Sequence, residues 1–261
     1  MPVTFQTSDA VKNIKPFSSN KNPFQKKNQG PMSIYERALR GIAREVGRII
    51  KGIASDDPLA PQVESQVFSY MNAYSELLGP WALHLCNNVF TMADNADRFA
   101  WQQHTKNMSL ALRKELNNAP TGDVVRNIMG ENVKLIKSIP LEAAKRVHKL
   151  IQANMMQSER STEIAKKIME TEYVTKNRAT LIARTEVSKA STALTQARAT
   201  YVGSDGYIWR TSGDLIVRPS HKAMSGKFVR WDSPPTLDNM MGAAGSFPNC
   251  RCWCDVVLPE E

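Results

Sequence analysis

One histidine and three cysteines near the C-terminal end are residue types that bind metal ions. His221 is followed by Cys250, Cys252 and Cys254. Three thiolates and one imidazole make a closed tetrahedral ligand set of the kind that zinc has in structural sites. We therefore predict a structural zinc ion bound by His221, Cys250, Cys252 and Cys254.

The spacing of the cysteines leaves two alternatives open. The pattern of residues 250–258 predicts a strand, on which the three cysteines share one face and successive sulfurs lie about 7 Å apart. One ion reaches all of them only if the strand bends, so Cys250 and Cys252 with His221 and Asp214 are a second arrangement. In the other alternative, reduced cysteines pack on a buried face as small apolar side chains.

The elements upstream of these residues are predicted to be helices. Apolar residues recur every three or four positions through most of the first 200 residues. The predicted helices are 31–53, 61–78, 81–118, 123–138, 141–157, 162–171 and 179–201. Breaks are expected at Asp57-Pro58, Gly79-Pro80, Pro120 and Ile139-Pro140, because proline interrupts the helical hydrogen bonds.

The pattern changes after Gly203. Tyr207–Thr211, Leu215–Val217, Lys227–Val229 and Cys250–Leu258 are predicted strands, and Pro219–Met224 is predicted to be a single helical turn. Residues 232–249 are predicted to be a loop. The fold class is therefore α+β, with a predominantly α-helical N-terminal two-thirds and a small β-rich C-terminal module.

These patterns predict three parts of the chain. Residues 1–30 hold five lysines, one acid and few apolar residues, so a flexible basic arm is expected there. Residues 31–157 form the helical region. Residues 158–261 combine a long helix with the small β module.

The charge of the chain indicates contact with polyanions. Lys and Arg total 34 against 25 Asp and Glu, which gives a net charge of +9. Five cations share one face of the first helix and are predicted to contact DNA or a partner protein, although a solvated face would look the same: Arg37, Arg40, Arg44, Arg48 and Lys51. Neither a membrane span nor a signal peptide is expected from the sequence.

Three short motifs follow one another in the last third of the chain. They are Ala183-Arg184-Thr185-Glu186, Asp214-x-x-Val217-Arg218-x-x-His221 followed by Gly226, and Pro248-Asn249-Cys250-Arg251-Cys252. In this order and spacing, residues 160–258 resemble the phage Mu F-like minor head proteins, the phage head morphogenesis family. Cys254 is an additional thiol beyond the usual pair.

The resemblance implies a virion protein rather than an enzyme. Such proteins are present in few copies inside the capsid near the portal, and act in head assembly, genome packaging or delivery. The expected partners are the portal protein, other head proteins and packaged DNA bound non-specifically, with assembly in the host cytoplasm and no membrane involved. From the motif order, we predict that Arg184, Glu186, Asp214 and Arg218 make polar links between the long helix and the β module.

Two other functions are alternatives from the residues. A metal-dependent nuclease or other DNA-processing enzyme could use His221 with Asp214 and Glu186. However, this region has one histidine, and a cysteine-rich ligand set favours a structural metal. A simple DNA-binding protein with a zinc-ribbon-like end is the second alternative. No catalytic residue is predicted.

Overall fold

A computed structural model describes Phe24 and residues 27–106, 109–157 and 161–259, without the side chains of 154–157 and 161. Most of the predicted basic arm, residues 1–23 and 25–26, lies outside this description. The fold class is confirmed: helices dominate the N-terminal part, and small antiparallel strands lie near the C-terminus. In the described part of the chain, no helix is both long and apolar enough to cross a bilayer.

The described elements comprise seven helices and five strands. The helices are α1 (Gln29–Ile53), α2 (Pro61–His104), α3 (Leu110–Asn118), α4 (Gly122–Gln157), α5 (Ser161–Met169), α6 (Thr171–Tyr201) and α7 (Pro219–Met224). The strands are β1 (Gly206–Arg210), β2 (Phe228–Arg230), β3 (Thr236–Leu237), β4 (Met240–Met241) and β5 (Trp253–Val257).

Two predicted helix breaks are wrong. Pro80 lies inside α2 and Pro140 lies inside α4. A proline inside a helix removes one hydrogen bond at a cost of about 3 kcal/mol. Burial continues on both sides of each proline and offsets that cost: Leu78 and Ala82 flank Pro80, while Ile139 and Ala143 flank Pro140. The predicted helix 81–118 is instead divided, because α2 ends at His104 and α3 begins at Leu110.

The chain forms two compact units. The helical unit contains Met32–Val89 and Ile128–Arg184. The mixed unit contains the described residues up to Pro31, Phe90–Asn127 and the described residues from Thr185 onward.

The core of the helical unit is built from the apolar faces of its helices. α1 buries Leu39, Val46 and Ile50, and α2 buries Val63 and Met71. The hydroxyl of Tyr35 in this core donates to Oδ1 of Asn132 on α4 at 2.9 Å. The polar atoms of that buried pair are therefore satisfied.

The mixed unit contains a three-stranded antiparallel sheet in the order β2-β1-β5. Tyr207 on β1 lies opposite both Val229 and Val256, and Trp209 lies opposite Cys254. The central strand begins at Gly206, where a Cβ atom would stand 2.2 Å from the Val229 carbonyl oxygen. Only glycine permits this approach of the two strands.

The predicted strand Leu215–Val217 is also wrong. Leu215 and Ile216 lie in a turn and are almost fully exposed, at 105% and 78%. Both edges of β1 are already paired, with β2 and β5, so no edge of that strand remains for this segment. The predicted loop 232–249 contains the small hairpin β3–β4.

The last strand begins at Trp253, three residues later than predicted. Asn249 has a φ of 52°, which is outside the β region, and Cys250 N–H donates to the Phe247 carbonyl at 3.0 Å. Residues 247–250 therefore turn, and Cys250 and Cys252 precede the strand.

Charged side chains are buried inside the mixed unit. Arg198 of α6 is 1% exposed, and its guanidinium donates to Oδ2 of Asp97 at 2.5 Å and to Oδ1 of Asp94 at 2.8 Å. Thr195 donates to Asp97 at 2.7 Å, and Lys27 also pairs with Asp97. Two cations and two carboxylates thus balance, which is what buried charges require.

Candidate functional site

The side chains of His221, Cys250 and Cys252 meet in the mixed unit. Nδ1 of His221 lies 3.4 Å from Sγ of Cys250 and 3.6 Å from Sγ of Cys252. One ligand atom of each residue lies within 4.8 Å of the others. All three residues are buried, with 2%, 6% and 7% exposure. The three ligand atoms are therefore close enough together to hold one metal ion.

The backbone explains how two cysteines only two residues apart reach the same point. Residues 250–252 are irregular rather than extended in a strand. Cys252 N–H donates to Sγ of Cys250 at 3.4 Å, so the chain curls around that sulfur. The spacing problem of an extended strand therefore does not arise for this pair.

Cys254 and Asp214 lie outside this cluster, which corrects the predicted ligand sets. Cys254 is on β5, and its thiol contacts the Ala244 carbonyl oxygen at 3.6 Å. The carboxylate of Asp214 pairs with both terminal nitrogens of Arg251 at 2.8 Å. Among the described residues, the predicted set is reduced to His221, Cys250 and Cys252.

Aromatic rings and charged groups hold the His221 imidazole in place. Trp209 and Phe247 meet it edge to face, with ring centroids at 5.5 and 4.8 Å. Its Nε2 lies 3.7 Å from Oδ2 of Asp238 and 3.5 Å from the Arg218 guanidinium. Sequence reasoning missed Asp238, because a residue in a predicted loop carries no periodicity that marks its position.

The two thiols of the cluster titrate differently. The hydrogen bond from the Cys252 thiol lowers the pKa of Cys250 to about 5, against the opposing effect of burial. The same contact, followed by burial, raises the pKa of Cys252. Burial also raises the pKa of Cys254. The cluster therefore favours one thiolate, at Cys250, while Cys254 stays protonated.

The second and third sequence motifs interlock at three points. Asp214 pairs with Arg251, Arg218 donates to the Pro248 carbonyl at 2.6 Å, and His221 meets the two cysteines. Asp214, Arg218 and His221 of the second motif thus each contact the segment 248–252. The residue spacing within the two motifs is therefore explained by contacts between two segments that lie about thirty residues apart in sequence.

Arg184 and Glu186 are placed differently from the predicted helix-to-module links. Arg184 lies 3.6 Å from Glu36 of α1 in the helical unit, and Glu186 pairs with Lys189 of its own helix at 3.0 Å. Side chains three residues apart on a helix are neighbours, which explains the second pair. Asp214 and Arg218 instead join segments within the module, as described above.

Two threonines of α6 make contacts with the module that sequence reasoning missed. Thr185, the third residue of the first motif, accepts a hydrogen bond from Asn249 N–H at 3.0 Å. Thr192 donates to the Ala244 carbonyl at 2.8 Å. Gly245 follows with a φ of 90°, and a Cβ there would stand 2.7 Å from the Thr192 hydroxyl. The first motif thus contacts the third through its threonine.

The predicted cationic stripe of α1 is exposed and partly neutralised. Arg48 pairs with Glu45, Arg40 with Glu36 and Lys51 with Glu172 of α6. Arg37 and Arg44 are also exposed. The prediction that this face contacts DNA or a partner stays a prediction.

A second basic surface in the helical unit was missed by sequence reasoning. A groove of about 370 Å³ lies between α4 and α6 and is lined by four cations and one acid, Glu142: Lys145, Arg146, Lys149 and Arg178. The Nε atoms of Arg146 and Arg178 are buried and have no hydrogen-bond partner among the described residues. The four cations come from two helices separated in sequence, so no local run of charge reveals them.

Comparison with known proteins gives one family. Residues 145–254 match the family described as phage Mu protein F like protein. This segment of the chain is therefore similar to that family. The match contains all three motifs and confirms the resemblance found in the sequence.

One relative extends beyond the Mu F-like segment. An uncharacterized protein of Haemophilus influenzae (strain ATCC 51907 / DSM 11121 / KW20 / Rd) is 31% identical over 173 residues, which is 66% of this chain. The aligned part spans 38% of the length of that relative. No solved structure matches the chain significantly.

Proposed function

We propose that this protein is a minor head protein of a tailed phage, located inside the head near the portal. It acts there in head assembly and in genome packaging or delivery. The observation that carries the proposal is the Mu F-like segment, whose motifs interlock around His221. This family supports a role in phage head morphogenesis and a place in the virion.

The role in the head is tested with virions of the phage that encodes the protein. The protein is quantified by mass spectrometry in purified particles, before and after genome release is triggered. A minor head protein is present at a few copies per particle and co-purifies with the portal protein from disrupted heads. Absence from purified virions would contradict the proposal.

We place the DNA contact of this proposal on the basic groove between α4 and α6. The groove has four cations against Glu142, a local excess of three positive charges. Glu142 lies 3.4 Å from Lys145, and the two side chains are 44% and 62% exposed, so solvent weakens this pair. The exposed ammonium groups of Lys145 and Lys149 can each contact a phosphate oxygen. Contact of this kind with the backbone is independent of base sequence.

The DNA contact is tested by charge reversal at exposed lysines, which leaves the core intact. Lys145→Glu with Lys149→Glu in the groove is compared with Arg37→Glu and Arg44→Glu on the stripe of α1. Binding to duplex DNA is measured against salt concentration, where each lost phosphate contact reduces the logarithmic slope by about 0.9. The slope of DNA affinity against salt concentration is expected to decrease more in the groove variant than in the stripe variant. An equal loss in both variants, or none in the groove variant, would contradict this placement.

The residues that a nuclease would need have other partners. Asp214 pairs with Arg251 and Glu186 with Lys189, while Nδ1 of His221 faces two sulfurs. Metal-dependent hydrolysis needs an open coordination position reached by substrate, and the cluster residues are buried. Incubation with supercoiled DNA and magnesium or zinc tests this alternative, and cleavage that His221→Ala abolishes would establish it.

A further inference from the structure

We propose that His221, Cys250 and Cys252 bind one zinc ion, with Nδ1 of the imidazole and both sulfurs as its protein ligands. The site goes beyond the proposed function, because its test does not depend on where the protein acts. It also differs from a four-residue site with Cys254, whose thiol contacts the Ala244 carbonyl.

The spacing of the ligand atoms fits zinc. Zinc binds sulfur at about 2.3 Å and imidazole nitrogen at about 2.0–2.1 Å in a tetrahedron, so nitrogen and sulfur ligands of one ion lie about 3.6 Å apart. The two distances here are 3.4 and 3.6 Å. The two nitrogen–sulfur distances therefore already match those around a tetrahedral zinc ion.

A divalent ion also neutralises the negative charge of the two cysteine ligands. Zinc binds cysteine as the thiolate, and two buried thiolates carry two negative charges that one Zn²⁺ neutralises. Binding displaces to solvent any thiol proton that the two cysteines still carry. Soft thiolate ligands with an imidazole select zinc over magnesium or calcium, which prefer oxygen.

The environment of His221 fits a ligand that binds through Nδ1. With the metal on Nδ1, the proton of the ring must be on Nε2, so the Arg218 guanidinium at 3.5 Å cannot donate to that nitrogen. The Asp238 carboxylate, at 3.7 Å, is the acceptor group that faces the proton. A carboxylate on the far nitrogen orients a histidine ligand and increases its basicity. Ser220 donates to the other oxygen of Asp238 at 2.8 Å and fixes that carboxylate. Asp238 is therefore a positioning residue for the site.

The proposed ion joins parts of the module that are far apart in sequence. His221 lies on α7, while the cysteines lie in the irregular segment before β5. Three protein ligands leave the fourth tetrahedral position for one water molecule, and the burial of the ligands keeps a macromolecular substrate away from it. Because the ligands are buried, the ion has a structural role: it holds 250–252 against α7, and its binding energy adds to the folding energy of the module.

The experiment measures zinc in the full-length protein, purified without chelator, by mass spectrometry of the metal. The wild type is expected to contain one zinc per chain. Cys252→Ser is expected to lose it, whereas the matched control Cys254→Ser, two residues further on and equally buried, is expected to keep it. A wild type that stays free of zinc after incubation with the metal, or a Cys254→Ser variant that loses zinc as Cys252→Ser does, would overturn the proposal.

A spectroscopic measurement on the wild type tests the same ligand set without depending on whether the variants fold. The metal-free protein is titrated with Co²⁺, whose absorption reports both geometry and thiolate ligands. A tetrahedral spectrum with charge-transfer intensity for two thiolates is expected. An octahedral spectrum without that band, or intensity for three thiolates, would overturn the ligand set.

The positioning role of Asp238 has a separate readout. Asp238→Asn is expected to weaken zinc binding by about 10- to 100-fold, the usual effect of losing the carboxylate behind a histidine ligand. Asp232→Asn is the control, since that carboxylate pairs with Arg230 at the surface. Equal zinc affinities of Asp238→Asn and the control would exclude the role.

Discussion

The contacts inside the mixed unit differ in kind from the contacts inside the helical unit. In the mixed unit, single polar side chains make specific contacts: Arg198 pairs with two aspartates in the core, and Arg218 donates to the partly buried Pro248 carbonyl. In the helical unit, repeated apolar side chains fill the core, and ion pairs such as Lys137–Glu76 lie at the surface. The mixed unit should therefore be more sensitive to the loss of one of its buried charges than the helical unit is to the loss of a surface ion pair.

The largest effect is expected at the buried charges. Arg198→Ala removes the buried cation that bonds to both Asp94 and Asp97, so it should lower the free energy of unfolding by about 3–5 kcal/mol. Arg98→Ala is the matched control, because Arg98 pairs with the same Asp94 at 3.4 Å but is 45% exposed. That surface pair should contribute at most about 1 kcal/mol. Similar losses for both variants in urea unfolding would contradict the comparison.

A smaller effect is expected where the two motifs interlock. Arg218→Ala removes the donor to the Pro248 carbonyl and should lower the free energy of unfolding by about 1–3 kcal/mol. Arg230→Ala removes a guanidinium from a surface pair with Asp232 in the same module and should change the free energy of unfolding little, because solvent screens that pair. Thermal unfolding of both proteins measures the difference. If Arg230→Ala is the more damaging change, the interlocking contacts do not stabilise the module.

Replacing proline by alanine should have opposite effects on stability at two positions of the chain. Pro80 lies exposed inside α2, so Pro80→Ala restores a helical N–H and should stabilise the protein by about 1–2 kcal/mol. Pro219 is at the first position of α7, where its fixed φ suits the helix, so Pro219→Ala should destabilise by less than about 1 kcal/mol. The midpoint of denaturant unfolding should rise for Pro80→Ala and fall for Pro219→Ala. Destabilisation by Pro80→Ala would show that the local shape of α2 at this proline is needed for packing.

Sequence patterns predicted the fold class and the helices because both follow from local periodicity. They failed at Pro80 and Pro140, where burial on both sides outweighs the local cost of proline. They also failed at Leu215–Val217, since strand formation depends on a free partner edge rather than on residue type alone. Tertiary context decided each of these cases.

The candidate site was predicted in part. His221, Cys250 and Cys252 stand together as expected, but the positive φ of Asn249 and the curled backbone after it give no signal in the residue types. Without that turn, an extended strand would have placed Cys254 on the same face as its two neighbours. Thr185, Thr192 and Asp238 were missed because each contributes one hydroxyl or carboxylate whose partner is distant in sequence.

The most direct test of the account is hydrogen exchange of the full-length protein before and after removal of metal by a chelator. The central claim is that contacts of 248–252 with His221, strengthened by zinc, hold the module. Chelation should therefore speed exchange in peptides covering residues 206–257, and added zinc should restore it, while peptides of the helical unit stay unchanged. Unchanged exchange in residues 206–257, or an equal increase in both units, would contradict the claim.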